Sequence, residues 1–252
     1  MPDVQAAAER WSLDVGEPYD RGVGGETTRA TLRDGTPVVL KLVHPHRESE
    51  HEADALRAWD GDGAIRLLAQ DGDALLLERC EPGTPLSAVG RDAALDVLIG
   101  LLPRLWIAAG DPFHTLADEA AWWLPQLPRT RLGDAARETI ESLAGTQGEQ
   151  VLLHQDLHGD NVLAADREPW LAIDPKPLVG EREFGVAPIV RSRELGHSRT
   201  DVLYRFDRLV SELGLDRERA RGWTIGQTIA WAFDGEHRQT HVETARWLLE
   251  AS

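Results

Sequence analysis

Cysteine is nearly missing from this chain; Cys80 is its sole representative. One thiol can build neither a disulfide framework nor a thiolate metal site. Long apolar runs are missing too, so no segment is expected to span a bilayer as a helix. Met1 to Arg10 is polar and alanine-rich, without the apolar stretch of a secretory signal, and a reducing cytoplasm is the expected location. Internal repeats and low-complexity tracts are also absent. Positive charge is scarce: 27 Lys and Arg stand against 43 Asp and Glu, a net charge of -16. Such a field repels phosphate backbones and anionic headgroups, which argues against nucleic acid and membrane surfaces as partners and favours a cationic small molecule. The plainer account is that the acidic residues only keep the surface soluble.

What is present suits a globular chain. Its 252 residues are enough for one large domain or two lobes, and 42% are apolar, so a real core can form. The first third predicts strands and turns with one helix. Gly22-Val23-Gly24-Gly25 is a glycine-rich loop. Thr27 to Leu32 and Pro37 to Val43 form a hairpin across Arg33-Asp34-Gly35-Thr36. Glu48 to Trp59 predicts a helix with Glu52, Leu56 and Trp59 along one stripe. A second hairpin joins Ile65 to Gln70 with Ala74 to Arg79, and Cys80 to Pro85 is the best boundary in the chain. Beyond it the periodicity is helical over Asp92–Leu102, Ala117–Leu124, Asp134–Leu143, Val202–Leu213, Arg217–Phe233 and Val242–Leu249. Pro103, Pro112, Pro125 and Pro128 are expected between helices rather than inside them. Val151-Leu152-Leu153 and Trp170-Leu171-Ala172-Ile173 interrupt the helices as short strands, expected to form a hairpin around a polar loop. The expected fold is therefore α+β: a small antiparallel-sheet lobe over residues 1–80 and a larger helical lobe over 81–252.

The chemistry concentrates in that polar loop. In His154-Gln155-Asp156-Leu157-His158-Gly159-Asp160-Asn161, Asp156 and Asn161 are separated by five positions, and Asp174 ends the next apolar strand. Phosphoryl transfer asks for these types: an aspartate to take or orient the proton of the attacking hydroxyl, and an amide oxygen with a second carboxylate to hold magnesium against the phosphates. Alone, Asp156 or Asp174 would be an ordinary turn residue after a strand; the ordered set makes Asp156 the expected base and Asn161 and Asp174 the expected metal ligands. Lys41 sits on an apolar strand, where a charge is costly unless paired. Glu52 is its expected partner, with Glu48 one turn earlier as the alternative. Gly22, Gly24 and Gly25 match neither the dinucleotide fingerprint nor the Walker pattern, but Gly24 and Gly25 could let backbone N–H groups approach phosphates. His154 and His158 are expected to fix the loop through hydrogen bonds. Lys176 could touch phosphates or shield the carboxylates. For the acceptor, Trp122, Trp231 and Asp234 are candidates, since a cationic guest favours aromatic faces and carboxylates together. Trp123 and Trp223 belong to the same set of candidates, against the plainer reading of tryptophans as core.

Val39-Leu40-Lys41, Leu76-Leu77-Glu78-Arg79, the His154 to Asn161 loop, Trp170 to Lys176 and Glu183-Phe184-Gly185-Val186-Ala187-Pro188 together resemble the aminoglycoside phosphotransferase family, in its streptomycin kinase and hydroxyurea phosphotransferase branch. The resemblance covers nearly the whole chain. It implies a protein-kinase-like fold and ATP or GTP in a cleft between lobes, with the nucleotide base on the backbone of Glu78 to Cys80. It also implies magnesium on Asn161 and Asp174, and an aminoglycoside hydroxyl as acceptor. Two positions depart from the family pattern: Gln155 and Asp160 each stand where a glycine is usual. The alternatives are a kinase of an amino sugar or another small metabolite, and a nucleotide-binding pseudokinase. The oligomeric expectation is a monomer or dimer.

Overall fold

The structure is a computed structural model that describes residues 4–19, 25–233 and 238–251. The chain runs through α1 (Val4–Trp11), β1 (Asp14–Pro18), β2 (Gly25–Thr31), β3 (Pro37–Val43), α2 (Glu52–Trp59), β4 (Leu67–Asp71) and β5 (Ala74–Glu78). It continues through α3 (Arg91–Leu105), α4 (Leu116–Trp123), α5 (Arg131–Ala144), β6 (Gln150–Leu153), β7 (Val162–Ala164), β8 (Trp170–Ala172) and β9 (Leu178–Glu181). It ends with α6 (Ala187–Arg191), α7 (Arg199–Leu213), α8 (Arg217–Ala230) and α9 (Arg238–Glu250). Among the described residues, no helix is long and apolar enough to cross a membrane. The architecture is the two-lobed, protein-kinase-like α+β fold.

By packing, the chain divides into two units: Met1–Thr84 with Val162–Pro177, and Pro85–Asn161 with Leu178–Ser252. In the first, an antiparallel sheet of order β1-β2-β3-β5-β4 has β3 near its middle, with Lys41 opposite Thr27 on one side and Leu75 on the other. Strand side chains alternate between faces. Val38, Leu40 and Leu42 therefore share one face, in a cluster with Ala7, Ala30 and Leu76, against which Val4, Trp11 and Leu13 pack. Lys41 belongs to the other face. Gly25 has to be glycine, because a Cβ there would lie 2.1 Å from the carbonyl oxygen of Leu42.

Residues 162–177 correct two expectations. A boundary at residue 80 assigns them to the helical lobe, yet they pack with the sheet: Ile65 N–H donates to Ala172 O at 3.0 Å and Ala172 N–H to Gly63 O at 2.9 Å. Arg167 seals this hairpin, donating to Glu78 at 2.7 and 2.9 Å and to the carbonyls of Gly61 and Ala64. The strands expected to flank the polar loop do not pair with each other. β8 pairs with β7, a three-residue strand starting immediately after Asn161, and β6 pairs with β9.

In the second unit α8 is buried continuously from Gly222 to Ile229. Trp123 and Phe184 stack at 6.0 Å, and Trp223 meets Phe184 edge-on at 5.8 Å, so these two tryptophans are core. Pro103 lies inside α3, contrary to expectation. It sits in the last turn, and the N–H it lacks is the one that would have paired with the carbonyl of Ile99. The expected helix to Phe233 changes to a 3-10 turn over Trp231–Phe233.

Candidate active site

The sheet unit brings Lys41, Glu52 and Asp174 together. Lys41 is 5% exposed and Glu52 2% exposed. Lys41 Nζ donates to both Glu52 oxygens at 2.7 Å and also to Asp174 Oδ1. Burial acts to lower the Lys41 pKa, but the two carboxylates outweigh it and hold it above the ordinary value. Glu52 reaches Lys41 because it opens α2 on the stripe that also buries Leu56 and Trp59. Glu48 instead lies 4.0 Å from Lys176. Asp174 adopts the left-handed conformation, φ 57°, two residues past the end of β8, and its side chain keeps 35% exposure. Left-handed backbone suits aspartate better than most residues.

Glu78 commits its carboxylate to Arg167 and to the backbone N–H of Arg66, so any contact it makes with a nucleotide belongs to its backbone. The Cys80 thiol is pushed up to about 12 by burial and then by the charge of Glu78, which makes it unreactive. Gly25 begins β2, while Gly24 lies outside the described residues, as does Asp234.

The helical unit holds the loop itself. Asp156 N–H donates to His154 O at 2.8 Å, and Asn161 folds back so that Nδ2 donates to Asp156 O at 2.9 Å. That bond commits the amide nitrogen of Asn161 and leaves its oxygen as the group for a cation. An amide oxygen is a hard donor of the kind magnesium takes, as is the carboxylate of Asp174 in the sheet unit. Gln155, where the family pattern has glycine, has φ 61° and is buried, with its carbonyl accepting from Gln227 Nε2 at 3.2 Å. The usual glycine has a physical reason here: the backbone is left-handed. Asp160 accepts from Ser87 Oγ.

Three residues outside any recognised motif surround Asp156 and its loop. Arg191 Nη2 donates to Asp156 Oδ1 at 2.9 Å, both side chains being 11% exposed. The same guanidinium lies 4.2 Å from the ring centroid of Trp231. Glu194 accepts from Gly159 N–H at 2.7 Å and lies 3.3 Å from His158 Nδ1, while His158 Nε2 lies 4.0 Å from Asp156 Oδ1. Burial acts to lower the His158 pKa, but the Glu194 hydrogen bond and the Asp156 charge raise it overall. His154 is buried in the same loop. Of the acceptor candidates, Trp122 is 41% exposed on α4. The one sequence signal that could have found Arg191 is a lone charge closing the apolar run Val186 to Val190.

The chain matches the family described as aminoglycoside/hydroxyurea antibiotic resistance kinase over residues 10–235. It is 44% identical over 236 residues to a hydroxyurea phosphotransferase of Kitasatospora aureofaciens, covering 88% of this chain and 68% of that protein. It is 39% identical over 245 residues to a streptomycin 6-kinase of Streptomyces glaucescens, covering 90% and 80%. Its fold is similar to that of a choline kinase from Streptococcus pneumoniae, with TM-score 0.69, 14% identity and 98% of each chain covered.

Proposed function

Because the chain belongs to the aminoglycoside/hydroxyurea antibiotic resistance kinase family, we propose that it moves the γ-phosphoryl group of ATP onto a hydroxyl of an aminoglycoside of the streptomycin type. The observation that carries the reading is the Asp156–Asn161 loop, with its carboxylate and its committed amide. Asp156 is the base: it takes the proton of the acceptor hydroxyl as the new P–O bond forms and the bond to ADP breaks. Asn161 and Asp174 would hold magnesium, which neutralises phosphate charge when bound. Lys41, held by Glu52, faces phosphate oxygens, and the backbones of Gly24, Gly25, Glu78 and Cys80 serve the nucleotide. Trp122, Trp231 and Asp234 are the proposed acceptor contacts. ATP is the donor, with GTP as the alternative; the protein acts in the cytoplasm as a monomer or dimer.

A second acceptor, hydroxyurea, is favoured by the 44% identity to a hydroxyurea phosphotransferase. The test is purified protein with ATP and magnesium against streptomycin, hydroxyurea and amino sugars, followed by mass. One added phosphate on streptomycin is expected. Asp156→Ala should lower kcat by roughly 10²–10⁴-fold, the range for loss of a general base. Nucleotide binding without transfer to any acceptor would replace this reading with that of a pseudokinase.

A further inference from the structure

We propose that Arg191 is the positioning residue for the base, and that Trp231 acts through it. The inference rests on the reading of Asp156 as base. A carboxylate in a loop can rotate about its Cβ–Cγ bond, and each orientation offers the acceptor a different oxygen. Arg191 removes that freedom by holding Oδ1 with a charge-assisted hydrogen bond of 2.9 Å. The guanidinium is itself held flat: its carbon lies 4.2 Å from the centre of the Trp231 ring, within the cation–π range. A lysine could supply the charge but not the stacked plane.

The backbone on either side of Arg191 is fixed by another arginine. Arg205 has no exposed surface, and its hydrogen bonds go to four carbonyl oxygens: Val190 at 3.0 Å, Ser192 at 2.8 Å, Leu195 at 3.0 Å and Gly196 at 2.6 Å. Burial pulls its pKa down to about 10, so it stays cationic at neutral pH. These four bonds hold the end of α6 and the turn after it in one shape. The line of support runs from Arg205 through residues 190–196 to Arg191, and from Arg191 to Asp156. Trp231, one of the proposed acceptor contacts, thereby gains a different task for its covered face.

The test compares Arg191→Met, Arg191→Lys and Trp231→Leu with wild type, each first checked for an unchanged thermal transition. Both transfer to acceptor and slow hydrolysis of ATP by water are followed. Arg191→Met should lower kcat by about 10–100-fold, the scale of loss when a reacting group is misplaced. KM for ATP and acceptor should stay within about twofold, since no ground-state contact is lost. Arg191→Lys should recover part of the rate. Trp231→Leu should shift kcat in the same direction by a smaller factor. In an Asp156→Ala background, Arg191→Met should cost nothing further, because the two act as one unit. In Arg191→Met, a raised acceptor KM with kcat intact would make Arg191 a substrate ligand and overturn the proposal; so would an unchanged kcat in Trp231→Leu, or an undiminished effect of Arg191→Met in the Asp156→Ala background. If wild type phosphorylates neither streptomycin nor hydroxyurea, the acceptor reading fails, and the same comparison in ATP hydrolysis still decides the role of Arg191.

Discussion

An ammonium buried in a sheet is tolerated only when carboxylates meet it, and the cost of removing one partner exceeds the net worth of the pair. Lys41 has two such partners, and Glu52 is almost fully buried while Asp174 is not. The two carboxylates therefore respond differently to loss of the lysine. Lys41→Met leaves Glu52 buried beside Asp174 with no cation, and should destabilise the ligand-free protein by about 3–5 kcal/mol, the usual cost of an orphaned buried charge. Glu52→Gln leaves Lys41 its contact with Asp174 and should cost less than half of that. Urea denaturation of the two variants measures both, and equal losses would mean that Asp174 does not support Lys41. The same scale shows what the sequence conveyed. Lys41 and Glu52 were legible because a lone charge in Val38-Val39-Leu40-Lys41 demands a partner and the stripe of α2 offers one. Arg191 carries a similar lone-charge signal at the end of Val186 to Val190, but its partner lies 35 positions away in sequence, and no short-range pattern announces that pairing.

Glycines within helices separate two effects that a sequence presents alike. Gly133 in α5 and Gly100 in α3 both weaken a helix relative to alanine by about 1 kcal/mol. Around Gly100 nothing lies within 4 Å of an added Cβ, whereas at Gly133 that carbon would stand 2.1 Å from the carbonyl oxygen of Pro128. Gly100→Ala should therefore stabilise the protein by about 0.5–1 kcal/mol through propensity alone. Gly133→Ala should destabilise it by about 1–3 kcal/mol, as overpacking against backbone does. Thermal or denaturant unfolding of both variants checks the opposite signs, and a shared sign would refute the packing argument. Periodicity located β3, α2 and the cores of α3, α5 and α7 because each buries one regular face. It missed α1, β7 and α6, which are short and owe their existence to what they pack on. It also misassigned strand partners, since Val151 to Leu153 and Trp170 to Ala172 are apolar runs that do not encode whom they pair with. The pairs β6–β9 and β7–β8 are decided by tertiary packing.

Over the whole chain, acidic residues exceed basic ones by 43 − 27 = 16. Arginines in contact with carboxylates neutralise part of this locally, as Arg191 does at Asp156, but the surplus remains and sets the long-range field. A negative protein gathers cations, and in a cleft with low-dielectric walls the gain in association rate reaches about 10–10³-fold. Salt removes this attraction, because exposed charges are screened beyond about 10 Å at 0.1 M and about 3 Å at 1 M. Streptomycin and hydroxyurea differ in the property that matters: the first is cationic and the second neutral. If the field recruits the acceptor, raising salt should increase KM for streptomycin several-fold while KM for hydroxyurea and kcat for both change little. The comparison needs both acceptors, because salt also screens ATP and its magnesium, and that contribution is common to the two measurements. A parallel response of the two KM values would assign the surplus charge to solubility alone. A rise confined to streptomycin would tie the composition of the whole molecule to the choice of substrate.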